Sequence, residues 1–486
     1  MSNLSRIAGL AGLTALATLA ACSVGPDFTP PATGLPEKKL VADARLVAPP
    51  DPQWWGRFHD RSLTELEAQA ATLNLDVQTA TVKLAQSRFQ RGVAASAQLP
   101  TLGADAKSTR EQYSQNGVVS MLGGLIPGGG KLAVPPITDN FAGFDASWEL
   151  DLWGRVRRQV EAADAQVETA ADQRRDVLVT VLAEVARDYI QLRGVQVQIG
   201  IAQDNLKIAE QVRQLAQERQ RKGLQSALDT QNALAQIEGL RAQIPALQQQ
   251  ESELVNALCY LLDQPPGALR EKLGSTRKNP LASPNPPLGI ASDLARRRPD
   301  IRAAEAQLHA ATAETGVAVA SFYPTIQLNG TVGYDALDLS NMWKGSSLQY
   351  QFGPSISLPL FNAGRLQNTL ELRQAQQQEA AILYHKTVLR AWHDVVNALV
   401  AIRQEQARHA RLAAQLGHAR QASSIARARY ADGVAEFISV LDAERTALLA
   451  EQQMAQSATT MALDEVQLFK ALGGGWEQTF PVAEAK

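Results

Sequence analysis

The stretch LQYQFGPSISLPLFNAGR, Leu348 to Arg365, changes period as it is read. Leu348, Tyr350, Phe352, Ile356, Leu358 and Leu360 are apolar, and Gln349, Gln351, Ser355 and Ser357 between them are polar. A period of two marks a strand with one greasy and one wet face. After Gly364 the apolar residues fall at helical spacing, and no proline occurs before Gly433. A strand that feeds straight into so long a helix decides the fold.

The same arrangement occurs twice. With Gly154 set on Gly364, a shift of 210, GRVRRQ lies on GRLQNT, Lys222-Gly223-Leu224 on Asp432-Gly433-Val434, and Leu262 on Leu472. Upstream, a shift of 224 lays NLDVQTATVKL (74–84) on RPDIRAAEAQL (298–308) and Leu99-Pro100-Thr101 on Tyr323-Pro324-Thr325. The excess in the first copy is a loop holding Gly123, Gly124, Pro127 and Gly128 to Gly130. An internal duplication bounds architecture more firmly than local propensity does. The pattern predicts repeat 1 over 62–262, with a helix 62–98, strands 99–113 and 141–152, and helices 154–222 and 226–262. Repeat 2 spans 299–472, with a helix 299–320, strands 322–335 and 348–360, and helices 364–432 and 436–472. A proline-rich linker (263–298) joins the copies and a tail (473–486) follows. Pro245 is expected to kink or interrupt its helix.

The long helices read as two antiparallel hairpins. Val177, Val181, Val185, Leu192, Val195, Ile199, Ala202 and Leu206 recur at spacings of three, four and seven, and a helix of that length extends about 100 Å. Alanine and glutamine lie on several faces, as expected where each helix has a neighbour on both sides. That predicts a hollow α-barrel.

Composition excludes several classes. Net charge is −2, with 47 basic and 49 acidic residues, so no basic stripe for nucleic acid is implied. No later segment reaches the eighteen apolar residues of a membrane helix. The N-terminus is different: Arg6 precedes an apolar run, Ile7 to Ala21, that fits a signal peptide over 1–21. It closes on Leu19-Ala20-Ala21-Cys22, the pattern of a bacterial lipoprotein cleavage box, so Cys22 is expected to carry a covalent lipid, and Ser23 after it to favour the outer membrane. Residues 22–61 then form the anchor and an extended segment. Cys259, in LVNALCYLL, has no disulfide partner and reads as a small buried hydrophobe.

Strands of ten to fourteen residues fit a tilted bilayer crossing. Four of them cannot close a barrel, so spanning strands require several copies of the chain to share one.

Across the mature chain the sequence resembles the outer-membrane factors, the TolC- and OprM-like channels of bacterial tripartite efflux systems, and especially their lipid-anchored NodT group. Cys22, Trp54-Trp55 with Phe58 and Asp60, Arg298-Pro299-Asp300-Ile301-Arg302-Ala303-Ala304-Glu305, Ser357-Leu358-Pro359-Leu360-Phe361, Arg429-Tyr430, Gly433 and Leu441-Asp442-Ala443 carry the resemblance. It implies a mainly α fold with membrane β: a homotrimer with four strands per protomer completing a twelve-stranded barrel, a periplasmic helical tunnel, and an equatorial belt built from 22–61 and the linker. It implies an exit channel for drugs or other small toxic solutes, with a periplasmic adaptor (membrane fusion protein), an inner-membrane pump of the RND type and outer-membrane lipid as partners. Matched position by position, Asp442 takes the place of a closed-end acidic ring, Ile438 of a hydrophobic constriction and Arg445 of an ion-pairing latch. TolC has a second aspartate where this chain has Ser439. The turns holding Gly223, Leu224, Gly433 and Val434 meet the adaptor.

Chemistry for catalysis is missing, and no enzyme, cofactor beyond the lipid, or metal site is expected. Lys131 after Gly128-Gly129-Gly130 lacks phosphate-loop spacing, no GxSxG elbow occurs, and His385 and His393 stand apart from cysteines and clustered carboxylates. Two other readings share many of these features. A type I protein-secretion duct uses the same fold, and a lipid-anchored periplasmic structural adaptor would lack the four strands.

Overall fold

A computed structural model describes residues 23–32, 51–114, 135–223, 226–274, 279–280 and 297–481. After a 3-10 turn, Trp54–Phe58, the elements are α1 (Arg61–Leu73), α2 (Leu75–Ser96), β1 (Thr101–Glu111), β2 (Ile137–Leu150), α3 (Arg155–Arg221) and α4 (Ala227–Leu261). There follow α5 (Pro299–Ala320), β3 (Thr325–Ala336), β4 (Leu348–Ser357), α6 (Arg365–Ala431) and α7 (Phe437–Leu472). The two shifts reappear in the bounds. Adding 224 carries α2 onto α5, and adding 210 carries α3 onto α6.

Two expectations need correction. The helix 62–98 is two helices, because Asn74 is extended and its side-chain oxygen accepts from the amides of Asp76 (2.9 Å) and Val77 (3.2 Å), capping α2. Pro245 does not interrupt α4. It sits in an exposed stretch with Arg241, Ala242 and Gln243, so the carbonyl that the missing N–H leaves free is not forced into a dry core. The strands end nearer the sheet than the alternation suggests: β1 stops at Glu111, and β4 stops at Ser357, short of Leu358 and Leu360.

The chain forms two compact units that cut across the repeats. One holds the residues up to Pro30, Gln86–Val167 and Ala306–Ala381; the other holds Pro31–Ala85, Glu168–Glu305 and Ile382–Lys486.

The first unit is built on an antiparallel sheet in the order β1-β2-β3-β4. Register puts Phe144 beside Ala104 and Val332, and Val332 beside Tyr350. One face therefore carries Phe144, Trp148, Leu328, Val332, Tyr350 and Phe352, and it is left open: Phe144 is 57%, Tyr350 72% and Phe352 70% exposed. Strands of 11, 14, 12 and 10 residues are long enough for a tilted bilayer crossing. No described helix is long and apolar enough to cross a membrane.

Each long helix leaves the sheet through a left-handed glycine, Gly154 (φ +82°) or Gly364 (φ +80°). At the first junction Arg155 Nε bonds Glu149 (2.9 Å) and Trp153 stacks on Tyr323 (4.9 Å). The start of the described chain is seated there. The Val24 amide donates to the Trp153 carbonyl (3.1 Å), Arg158 pairs with Asp27 (2.5 Å), and Phe28 stacks on His309 (4.4 Å), whose Nε2 contacts Glu161 (3.0 Å).

The second unit contains the main apolar core. Trp54, Trp55, Phe58, Leu63, Leu66, Leu182, Tyr189, Cys259, Leu262, Phe469 and Leu472 are buried in it. Trp54 stacks on Phe469 (5.3 Å). Asp60 uses both carboxylate oxygens: one caps α1 at the amides of Ser62 and Leu63, and the other accepts from the Tyr189 hydroxyl (2.8 Å). Equivalent clasps close the last helix of each repeat. The Asn74 amide donates to the Leu261 carbonyl (2.9 Å), and Arg298, the matching residue, donates to the Ala471 carbonyl (2.8 Å). Both helices then turn through a left-handed residue, Asp263 or Gly473. Arg298 is further held by Asp300 (2.7 Å) and Asp394 (3.6 Å). A Cβ at Gly473 would lie 2.7 Å from Arg298 Cγ.

Two carboxyls are buried at a cost. Glu67 on α1 is fully buried with both oxygens unbonded, and burial raises its pKa. Glu465 on α7 is 4% exposed, and burial, opposed by Arg57, raises it to about 7. Its folded value lies above the ordinary 4.5, so its contribution to stability is fully present below that value and is lost as pH rises through about 7. Glu465→Gln is expected to stabilise the protein at pH 8 by up to ~3 kcal/mol and to change little at pH 4. Thermal unfolding of the full chain in detergent at both values checks this.

Candidate functional site

The residues singled out for gating and docking lie at the turns α3–α4 and α6–α7, both in the second unit. Each turn is made by a left-handed glycine, Gly223 (φ +70°) or Gly433 (φ +81°). The Gly433 amide donates to the Tyr430 carbonyl (3.0 Å) and the Val434 amide to the Arg429 carbonyl (2.9 Å), so two terminal carbonyls of α6 are satisfied. Ser226 caps α4 at the Leu228 amide (3.2 Å). Glu436 precedes α7 and makes no side-chain cap. Gly223 and Gly433 are exposed, as is Val434 at 64%. Leu224 and Cys22 lie outside the described residues.

The turns are bound to each other by a small apolar core. Val212 and Ala216 of α3, Ala233 of α4, Tyr430 of α6, and Phe437 and Val440 of α7 are all buried there. The Tyr430 and Phe437 rings meet at 5.4 Å, and the Arg219 guanidinium lies 4.8 Å from the Tyr430 ring. The same guanidinium donates to the Tyr430 carbonyl, so a residue of repeat 1 holds the last turn of α6. Asp229 stands nearby; burial raises its pKa, Arg219 lowers it and Glu436 raises it.

Helix α7 then presents two opposite faces. Phe437, Val440 and Glu444 point inward, and Glu444 is the satisfied carboxylate: it accepts from Ser423 Oγ (3.0 Å) and pairs with Arg427 Nε (3.0 Å). Ile438, Asp442, Arg445 and Leu449 follow at steps of four, three and four and are all exposed, Ile438 at 52% and Leu449 at 56%. Among the described residues no side-chain bond is made by Asp442 or Arg445; the Asp442 carbonyl accepts from Thr446 Oγ1 within the helix (2.8 Å). Ser439 is exposed on the neighbouring side. In repeat 1 the matching position is Asn232, half-buried, so the equivalent stripe carries no charge there.

Sequence reasoning thus located the glycine turns and the Ile438–Asp442–Arg445 stripe but missed Arg219, Tyr430, Phe437 and Glu444 as the residues that fix the tips. Only Tyr430 had stood out, as part of a motif. The spacing of Ser423 and Arg427, one helical turn apart, is the visible half of the Glu444 seat.

One polar cluster among the described residues brings a serine, an acid and an imidazole together. Ser457 donates to Glu405 (2.5 Å) and contacts His409 (3.3 Å), which puts the serine between acid and imidazole, the wrong order for a base-activated nucleophile. Among the described residues no three His, Cys, Asp or Glu side chains group to hold a metal ion.

Comparison with known proteins agrees with this architecture. Residues 66–262 and 290–474 match the family described as outer membrane efflux protein. The cation efflux system protein CusC of Escherichia coli O157:H7 is 30% identical over 468 residues, 95% of this chain and 97% of that protein. The outer membrane protein OprJ of Pseudomonas aeruginosa is 30% identical over 475 residues, 97% and 96% of the two chains. The solved outer-membrane channel OprN superposes with a TM-score of 0.87 at 32% identity, over 94% of this chain and all of that one. With both repeats matched, the chain belongs to the outer membrane efflux protein family.

Proposed function

We propose that three copies of this chain share one twelve-stranded barrel, continue as a periplasmic tunnel, and form a passive exit duct for drugs or other small toxic solutes that is shut at the helix tips. One observation carries the gate: the stripe Ile438, Asp442, Arg445 and Leu449 is exposed along one face of α7 and has no side-chain partner in its own chain among the described residues. Around a three-fold axis that stripe meets its copies. Ile438 is the apolar constriction, Asp442 the acidic ring, and Arg445 the latch to a neighbouring carboxylate. The turns at Gly223, Leu224, Gly433 and Val434 are the docking points for a periplasmic adaptor, which couples the duct to an inner-membrane pump of the RND type. Cys22 carries the lipid anchor. Ser23, the next residue, packs against Gly154 where a strand becomes a helix, the level at which an anchor would enter the bilayer.

The charges set the expected phenotype. Three carboxylates ~8 Å apart repel by about 0.5–2 kcal/mol per pair in a wet site, so closure depends on the tip packing and on Arg445. Arg445→Ala removes an attraction and leaves the repulsion, and the resting open fraction in planar bilayers should rise about tenfold for a latch worth ~1.4 kcal/mol. Asp442→Ala should weaken block by multivalent cations added on the periplasmic side; equal block in wild type and variant would remove the acidic ring from this position.

Gly433→Val places a β-branched residue at φ +81°, a conformation that costs an L-residue roughly 1–2 kcal/mol. Export is expected to fall several-fold while trimer yield stays near wild type, read as drug susceptibility of cells beside detergent-extracted trimer. Unchanged susceptibility would mean that the tips meet nothing.

Cys22→Ala should abolish palmitate labelling while the protein is still exported and its strands still insert. Labelling that persists would move the anchor elsewhere.

A further inference from the structure

The wet face of the sheet contains one aromatic residue among the described strands, Phe141. Register sets it between Lys107 and Asp335, and the next row on that face pairs Gly143 with Gly333. A Cβ at Gly143 would lie 2.7 Å from Phe141 Cζ, and one at Gly333 would lie 2.9 Å from Phe141 Cε2. The ring therefore lies across two glycines whose strands also approach closely, since a Cβ at either would stand 2.6 Å from a backbone carbonyl oxygen of the other strand. One side of the ring covers bare backbone, and the other side is turned to the wet space. Around it stand Asp105, across the sheet from Gly143, then Asp335, and Asp139, within hydrogen-bonding reach of Asp335. Lys107 is the one base on this face among the described strand residues.

We propose that Phe141 and these carboxylates form a subsite for organic cations with an aromatic or quaternary-ammonium group, near the outer end of the barrel lumen. It rests on the channel reading, since it needs the wet face to line the lumen. The chemistry is complementary. An aromatic face attracts a cation through its quadrupole, and the surrounding carboxylates supply the long-range field that concentrates it. An anion of the same shape meets the same ring but the opposite field. A ring laid flat also leaves the bore open, so the subsite slows a cationic solute without plugging its path.

The test is saturation-transfer NMR on the full-length trimer in nanodiscs, with benzyltrimethylammonium as the probe and benzenesulfonate as its anionic counterpart. Wild type is expected to bind the cation at least about threefold more tightly than the anion. Phe141→Leu should weaken cation binding about fivefold, and Phe141→Tyr should retain it. The double variant Asp139→Asn, Asp335→Asn keeps the ring and the sheet and should narrow the difference between cation and anion. Equal binding of the two probes by wild type, or cation binding unchanged in Phe141→Leu, overturns the proposal. Unchanged discrimination in the double variant overturns the role of the carboxylates, and it serves if the leucine variant fails to assemble. Single-channel conductance of the same preparations separates the two readings: a conducting channel that does not discriminate the probes refutes the subsite alone.

Discussion

Two unpaired strand edges govern this molecule. β1 and β4 flank the sheet, and each offers an edge row of backbone N–H and C=O groups that pairs with no other strand among the described residues. In water such groups are solvated at little cost. In hydrocarbon each costs several kcal/mol, while the apolar face that carries Phe144, Tyr350 and Phe352 favours hydrocarbon. The two demands conflict for a single copy and agree only when β4 of one copy pairs with β1 of the next. The constraint makes assembly a condition of membrane insertion, which accords with membership of the outer membrane efflux protein family.

The rest of the chain holds what that assembly produces. Strand passes to helix through short connections that end on Gly154 and Gly364, and the ends of the last helices are clasped by Asn74 and Arg298. At the far turns the order of priorities reverses. Glu444 is held inside its own chain by Ser423 and Arg427, whereas Asp442 and Arg445, on another face of the same helix, have no side-chain partner among the described residues. A protein that functions as an outer-membrane efflux channel has to fix its tips without freezing them. Here the fixing groups and the exposed groups lie on different sides of α7.

Much of this was legible in the sequence, because duplication prints the same boundary twice. Gly154 and Gly364, or Gly223 and Gly433, could be recognised together where either alone is ambiguous. The break at Asn74 escaped notice because apolar spacing continues across it, and only the cap on Asp76 and Val77 ends one helix and starts the next. At Pro245 the helix continues, since a proline on an exposed helical face forgoes one backbone bond and not the helix. At the tips, the family resemblance singled out Ile438, Asp442 and Arg445, and their steps of four and three put them on one helical stripe. The contact of Arg219 with Tyr430 joins residues 211 apart, and no local pattern encodes such a pairing.

The divergence between Asn232 and Asp442 has a consequence for symmetry. Six identical half-length chains around a ring would repeat every substitution six times, so a carboxylate at one tip would appear at all of them, with the full mutual repulsion. Fusing two copies into one chain reduces the rotational order from six to three. A charge can then be placed at alternate tips, and its neighbours can remain amides that tolerate close approach. The doubled chain therefore lets each of its halves vary its tip residues independently of the other.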